Sequence, residues 1–545
     1  MSGVSRREFT RNSAAVGGAA LALHTLGGWG GMSYAAEPTA AAAIANNAQL
    51  VTVLPNDPRY PGLVTGANQR WVGTPDYVLV ASNADQVVQA VQETLDAGLR
   101  FTVRSAGHCY EDFTSNSQVR VLIDVSAMQS VTFDNARRAF AIEPGARLGG
   151  VYQTLFQNWG VTIPGGTCPG VGVGGHVTGG GYGPLCRSHG VTVDYLEAVE
   201  VVVVDAQRQA RKVLATRDIL DPKRELWWGH TGGGGGNFGI VTKYWFRNRG
   251  VLSTNPADLL PKAPQELIVS EVAFSWQGMT QAAFSRLLLN FSTFFETHQN
   301  PLHPYAKLWS ALKPRHRSAG EFLMSTQIDS AVPNADALLD GFLAAIVAGT
   351  GLTYRVDARK RVNWLYNVLN WPGLGGSGFE GKNRFKAKSA YMRHHFQPAH
   401  LAAFWQHMTR TDYNNPAALV EIVGYGAVAN IPFPSDTAVP QRDSIMKMLF
   451  IDMWATPAED AVNKAWVREF YRDVFAATGG VPRPDSHADG AFINYADVDL
   501  NSPVHNTSGV PWSSLYFKAG YPRLQNVKRT WDPLDIFRHT LAIRP

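Results

Sequence analysis

The sequence predicts an α+β protein of two domains, and three observations carry that expectation. From about residue 49 to 250, short β-branched runs alternate with stretches whose apolar residues recur at helical spacing, the pattern of helices packed on sheets. Pro256, Pro261 and Pro264 then break the pattern, and a second unit with longer helical stretches follows over roughly 265–480. The chain is long, at 545 residues, with 45% hydrophobic and 17% charged residues. Average soluble domains carry roughly 25% charged residues, so a sizeable buried core is expected and intrinsic disorder is excluded.

The N-terminal 35 residues stand apart. Arg6-Arg7, the apolar stretch from Ala14 to Leu23 and the small-residue end Ser33-Tyr34-Ala35 make a secretory signal too short to span a bilayer. The arginine pair with Phe9 two residues on resembles a twin-arginine export signal, which implies a periplasmic or secreted destination in a bacterium. No later run reaches the roughly 18 apolar residues of a membrane span, so stable membrane insertion is not expected. The net charge of +5 is scattered, with no run of five Lys or Arg, which argues against a nucleic-acid partner. Three cysteines, Cys109, Cys168 and Cys186, with no CxxC or Cys/His zinc spacing, exclude a disulfide scaffold and a structural zinc. No metal site is expected.

In the first unit, Tyr77–Val80, Phe101–Arg104, Val121–Val125, Ala139–Pro144 and Val199–Asp205 read as strands. Ala84–Ala97 reads as a helix, with Val87, Ala90, Val91 and Leu95 on one face and Ser82 or Asn83 as its cap. In the second unit, Glu266–Ser275 and Ser444–Trp454 read as strands. Gln281–His298, Asn334–Ala348 and Ala461–Ala476 read as helices, and Gly-rich Trp371–Gly381 as a loop. Beyond Gly479, short strands and turns are expected.

Two Gly-rich segments carry the chemistry. Arg104-Ser105-Ala106-Gly107-His108-Cys109-Tyr110 follows a strand directly, and Gly165 to Gly183 contains ten glycines around Cys168 and His176. Glycines let backbone N–H groups approach an anion closely, so both segments could cradle a pyrophosphate. A dinucleotide fingerprint of the Rossmann kind would need a helix to open at the glycines. None is expected at Gly174, so that fold is set aside.

These segments resemble the berberine bridge enzyme-like flavin oxidases of the vanillyl-alcohol oxidase superfamily. The resemblance extends through Val121–Ser126, Ala146–Gly149, Leu226-Trp227-Trp228, Gly233–Val241, Phe492–Asp497 and Asp532–Phe537. It implies a two-domain fold, with a PCMH-type FAD-binding domain over 47–255 rejoined by 485–545. The substrate domain, with an antiparallel sheet, would span 265–480. It implies FAD bonded twice, His108 to the 8α-methyl group and Cys168 to ring carbon C6. Arg104, Ser105, Ala106, Gly107, Val171, Gly172, Gly174, Gly175, His176, Gly239, Ile240 and Asn494 would line the cofactor, with His176 shaping its loop.

Tyr110, two residues after His108, would project to the same side on an extended stretch, and the resemblance places Tyr182 and Tyr495 at the substrate face; the three are the candidate catalytic residues. Relatives carry Tyr where this chain has Phe492, which weakens a sugar-oxidase reading. Some relatives carry Glu or Gln near Leu449 and Phe450; Asp452 after a register slip, Glu421 and Tyr425 are other candidates, and the base is left open. Val171, rather than a bulkier Leu, implies oxygen reactivity. The expected reaction is hydride transfer from an alcohol-bearing substrate, an aromatic secondary metabolite or a sugar, with O2 reduced to H2O2. A flavin dehydrogenase with another acceptor and a non-catalytic flavin-binding protein are the alternatives. A small-molecule substrate and O2 are the expected partners, and the oligomeric state is open.

Overall fold

The computed structural model describes residues 49–370 and 383–545. The expected export segment and the Trp371–Gly381 loop lie outside the described residues.

Three sheets organise the chain. The first is mixed, in the order β1-β2-β4-β3, from β1 (Val51–Val53), β2 (Tyr77–Val80), β3 (Phe101–Arg104) and β4 (Val121–Asp124). Both β2 and β3 run parallel to β4. The β2-to-β3 crossover is the helix Ala84–Asp96, whose N-cap Asn83 accepts a hydrogen bond from the Gln86 N–H. Its Val87, Ala90, Val91 and Leu95 pack with Leu79, Phe101, Val121 and Ile123. Each of the larger ones, the Val, Leu, Ile and Phe side chains, contributes roughly 1.5–3 kcal/mol by leaving water.

The second sheet is antiparallel, in the order β5-β6-β9-β7-β8, from β5 (Val131–Asp134), β6 (Ala139–Ile142), β7 (Leu196–Val204), β8 (Ala210–Thr216) and β9 (Ile240–Phe246). The third holds seven antiparallel strands, β10 (Glu266–Ser275), β11 (Leu308–Lys313), β12 (Glu321–Asp329), β13 (Tyr354–Asn363), β14 (Arg384–Met392), β15 (Leu419–Gly424) and β16 (Met446–Trp454). Its order is β13-β10-β12-β11-β15-β16-β14. The helices Gln281–Thr297, Ala335–Val347 and Asp460–Val474 fall where the apolar spacing places them, within two residues at each end.

Two expectations fail. The segment after Gly479 contains no strand among the described residues and carries two helices, Trp512–Phe517 and Tyr521–Trp531. The prolines there act as start signals: Pro511 is the N-cap of the first helix and Pro522 lies in the first turn of the second, where a missing N–H costs nothing. A helix does open at the second glycine run, Val173–Thr178 with Gly172 as N-cap, although it lasts only six residues.

The C-terminal segment returns to the glycine turn before β9. The Ile543 N–H donates to Asn237 Oδ1 (2.8 Å), and Lys528 Nζ donates to the Asn237 carbonyl (3.0 Å).

Candidate active site

A single cleft collects all the site residues expected from the sequence. His108, Cys168, Tyr110, Tyr182 and Tyr495 line it. So do Arg104, Ser105, Ala106 and Gly107, Val171, Gly172, Gly174, Gly175 and His176, and Gly239, Ile240 and Asn494. It encloses about 1870 Å³ of empty space, the open mouth included.

Local packing explains the shape of the first loop. Gly107 adopts φ +79°, and a Cβ there would lie 2.8 Å from the Arg104 guanidinium folded beneath it. Arg104 is held there by Asp124 at 2.6 Å. Ser105 Oγ donates to the Pro144 carbonyl (2.7 Å), which ties the loop to the end of β6.

The second loop is braced from three sides. His176 Nε2 accepts from the Gly166 N–H (3.3 Å), and Asn494 Nδ2 donates to the His176 carbonyl (2.9 Å). The Tyr244 hydroxyl donates to the Gly174 carbonyl (2.9 Å). Burial holds His176 near pKa 4, so its ring is neutral and free to accept. Asn494 thus positions the loop through His176. At Gly239, φ is +154° and a Cβ would sit 2.5 Å from the Val202 carbonyl oxygen, so only glycine lets β9 start this close to β7.

The two candidate attachment residues are in different protonation states from their charged forms. Burial, helped by Arg147 and Arg104, lowers His108 to about 4, which leaves a neutral imidazole with a nucleophilic nitrogen. Burial raises Cys168 to about 11, so it stands as a thiol near neutral pH.

At the far side of the cleft, the seven-stranded sheet contributes Glu421 from β15 and Leu449 from β16, which face each other in register. That register puts Asp452 on the other side of the sheet. Its carboxylate accepts hydrogen bonds from the Tyr413 hydroxyl and from Asn415 Nδ2 (2.7 Å), so it is no candidate for the reaction. Phe450 is buried against Phe404 and Phe470. Tyr425 is buried behind the cleft, and its hydroxyl has no hydrogen-bond partner among the described residues.

The tyrosines form a tight group. The hydroxyls of Tyr182 and Tyr495 are 2.9 Å apart, and Tyr110 stacks on Tyr495 with ring centres 5.2 Å apart and planes 16° from parallel. Phe492 stands edge-on to Tyr182 and Tyr495, at 5.3 and 5.2 Å. Burial raises all three phenols well above the usual 10, and the Glu421 carboxylate pushes them further.

Behind this group lies a residue the sequence reading missed. Lys447, on β16, is 1% exposed and its amine has no hydrogen-bond partner among the described residues. Its Nζ sits 3.2 Å from the ring centre of Tyr182 and 3.3 Å from that of Phe492, between two aromatic faces. Burial lowers its pKa well below the usual value. One signal was present in the sequence: a lone lysine inside the otherwise apolar run Met446 to Ile451.

The residues fit a flavin dinucleotide. Glycine-rich backbone lines a long cleft, a Cβ on Gly175 would meet nothing within 4 Å, and a neutral histidine and a cysteine reach the end that holds the tyrosines.

Comparison with known proteins agrees with that fit. An FAD binding domain family matches residues 75–209, and the berberine and berberine-like family matches residues 491–544. The chain is 48% identical to an aclacinomycin-N/aclacinomycin-A oxidase of Streptomyces galilaeus, over 99% of this chain and 98% of that protein. It is 31% identical to a hexose oxidase of Chondrus crispus, over 89% and 93% of the two chains. A solved glycopeptide hexose oxidase, DBV29 complexed with teicoplanin, is 47% identical and superposes with a TM-score of 0.87 over 91% of this chain and 99% of its own. The chain belongs to the berberine bridge enzyme-like family of FAD-linked oxidases, with their vanillyl-alcohol oxidase-type fold, and is an FAD-linked oxidoreductase.

Proposed function

We propose that this enzyme oxidises a hydroxyl group of a sugar-bearing or aromatic natural product, with FAD bonded to both His108 and Cys168. The observation that carries the reading is the Tyr182–Tyr495 hydroxyl pair, 2.9 Å apart in the same cleft as the two candidate attachment residues. The names of the relatives, an aclacinomycin oxidase, a hexose oxidase and a glycopeptide hexose oxidase, support this substrate class. Phe492 and the aromatic walls favour an aromatic natural product over a free sugar.

A flavin held in this cleft would supply the hydride acceptor and the reactivity with O2 that yields H2O2. The chain's own task is to take the substrate's hydroxyl proton. Tyr495 is the base, and the Tyr182 hydroxyl donates to its oxygen once the proton is gone. Burial disfavours a phenolate and an ammonium separately. A proton taken up by the Lys447 amine, over the ring of Tyr182, offsets the charge of a Tyr495 phenolate, so that the two charges together cost less than either alone. The phenolate of Tyr495 then accepts the substrate proton, and Lys447 keeps the positive charge beside the ring of Tyr182. His108, neutral at rest, provides the nitrogen for one bond to the cofactor, and Cys168 provides the sulfur for the other. Export by the twin-arginine route, the destination that Arg6 and Arg7 suggest, would make such bonds useful, because cofactor lost outside the cytoplasm is not readily replaced.

The test is an anaerobic titration of the purified protein with aclacinomycin A, teicoplanin and D-glucose, followed by flavinylated-peptide mapping. Bleaching by aclacinomycin A or teicoplanin, peroxide on admitting air, and flavin on peptides containing His108 and Cys168 are expected. Bleaching without peroxide would make the enzyme a dehydrogenase. Bound flavin that no alcohol bleaches would favour a non-catalytic flavin-binding protein.

A further inference from the structure

Three aromatic residues packed together come from distant parts of the chain: Tyr110 from the loop after β3 and Tyr495 from the C-terminal segment, which line the cleft, and Phe385 from β14, buried behind them. Tyr110 stacks on Tyr495 at 5.2 Å and meets Phe385 edge-on at 5.0 Å. Each has a buried charged residue one or two positions further along, namely Glu111, Lys386 and Asp497. On β14 adjacent side chains take opposite faces, so Lys386 points away from Phe385. Tyr110 and Tyr495 line the cleft, and Glu111 and Asp497 do not. The charges also meet. Lys386 Nζ donates to Glu111 Oε1 at 2.6 Å and to Asp497 Oδ1 at 2.7 Å, and all three side chains are at most 2% exposed.

The triad is part of a larger cluster, buried except at Arg468. Lys388 Nζ donates to the other Asp497 oxygen at 2.6 Å and lies 3.0 Å from Asp499, and Arg468 donates twice to Asp499, at 2.9 and 2.8 Å. Three carboxylates face three cations, so the cluster is neutral with every group ionised. Asn68 adds a neutral link, with Nδ2 donating to the Tyr110 and Phe385 carbonyls at 2.8 and 3.1 Å.

A buried ion cluster adds little net stability, because desolvation cancels most of the attraction. What it supplies is geometry: breaking it leaves a charge stranded, so the three segments hold one relative position. We propose that the Glu111–Lys386–Asp497 bridge is the positioning element of the substrate face, fixing Tyr110 against Tyr495 and so setting where the Tyr495 oxygen meets the substrate hydroxyl. The inference rests on Tyr495 acting as the base. The three are positioning residues, since none of them lines the cleft.

The test compares holoenzymes carrying Glu111→Gln, Asp497→Asn, Tyr495→Phe and the Glu111→Gln/Tyr495→Phe pair. Crystal structures of the first two are expected to show the Tyr110 and Tyr495 rings moved from their 5.2 Å, 16° stack, with flavin still on its peptides. With aclacinomycin A as the first probe, Glu111→Gln should lower kcat roughly tenfold to a hundredfold, the cost of misplacing a reacting group by about 1 Å. KM should stay within about threefold, because substrate binding itself is not removed. The double variant should be no slower than Tyr495→Phe alone, whereas general damage to the fold would multiply the two losses. Rings unmoved in both charge variants, or multiplied losses, would overturn the proposal. If Tyr495→Phe keeps full turnover, the base assignment fails, and the ring positions still decide whether the bridge sets the stack. Asp497→Asn carries the test if Glu111→Gln does not accumulate as folded protein.

Discussion

The hydroxyls of Tyr182 and Tyr495 lie 2.9 Å apart although 313 residues separate them in the chain. One comes from the glycine-rich segment after Cys168, the other from the C-terminal segment, and the contact exists only because that segment folds back over the first half of the protein. Lys447 reaches the same place from a third direction, on β16. An apolar pocket that buries two phenols and an amine without a carboxylate bonded to them is poised for proton transfer, since each group alone is held neutral.

Removing the Tyr495 hydroxyl with Tyr495→Phe is expected to lower the rate of flavin reduction roughly 10²–10⁴-fold, the usual worth of a general base. Flavin content should not change. Tyr182→Phe should cost less, because it removes a hydrogen bond to the base and not the base itself. Anaerobic stopped-flow reduction measures both, and near-normal reduction in Tyr495→Phe would rule out the assigned base.

Lys447→Met should shift the pH profile. With no ammonium beside the rings, the phenolate is less favoured, the apparent pKa of the base rises, and the acid limb of kcat/KM moves to higher pH. A profile that does not move would leave Lys447 a spacer between Tyr182 and Phe492.

His108→Ala and Cys168→Ala should each leave the flavin held by the remaining bond, and the double variant should release all its flavin on acid precipitation. Peptide mass spectrometry reads each outcome. Flavin fully retained after acid in the double variant would place the attachment elsewhere.

Asp452 offers a stability test away from the cleft. Burial raises its carboxyl to about 7, against the hydrogen bonds from Tyr413 that favour its charged form. A carboxyl raised in the folded state contributes stability that is fully present below its unfolded pKa, near 3.9. That contribution is lost as pH rises through about 7. Asp452→Asn should therefore flatten the fall in melting temperature between pH 5 and pH 8. Parallel melting curves for the two proteins would show that Asp452 does not titrate there.

Local patterns already located much of this site. Glycine runs beside His108 and Cys168 mark a cofactor cradle because only glycine permits such close backbone approach, as Gly107 over Arg104 shows. Apolar spacing places the helices Ala84–Asp96 and Gln281–Thr297, since each buries one face. The tail's two helices escape the reading of short strands and turns because each is short and opens at a proline, Pro511 as N-cap and Pro522 in the first turn.

What the sequence by itself determined is the chemistry available: a histidine, a cysteine and three tyrosines in glycine-rich or tail motifs, with the family that uses them. The tertiary structure alone decided which side chains from the seven-stranded sheet join them. Strand register sends Glu421 and Leu449 to the cleft and Asp452 to the opposite face, and a shift of one residue would reverse all three. The partners of Lys447 and of Lys386 lie up to hundreds of residues away in the chain. No local pattern records such pairings, because the energy that makes burying those amines tolerable comes from groups that only the folded chain brings together.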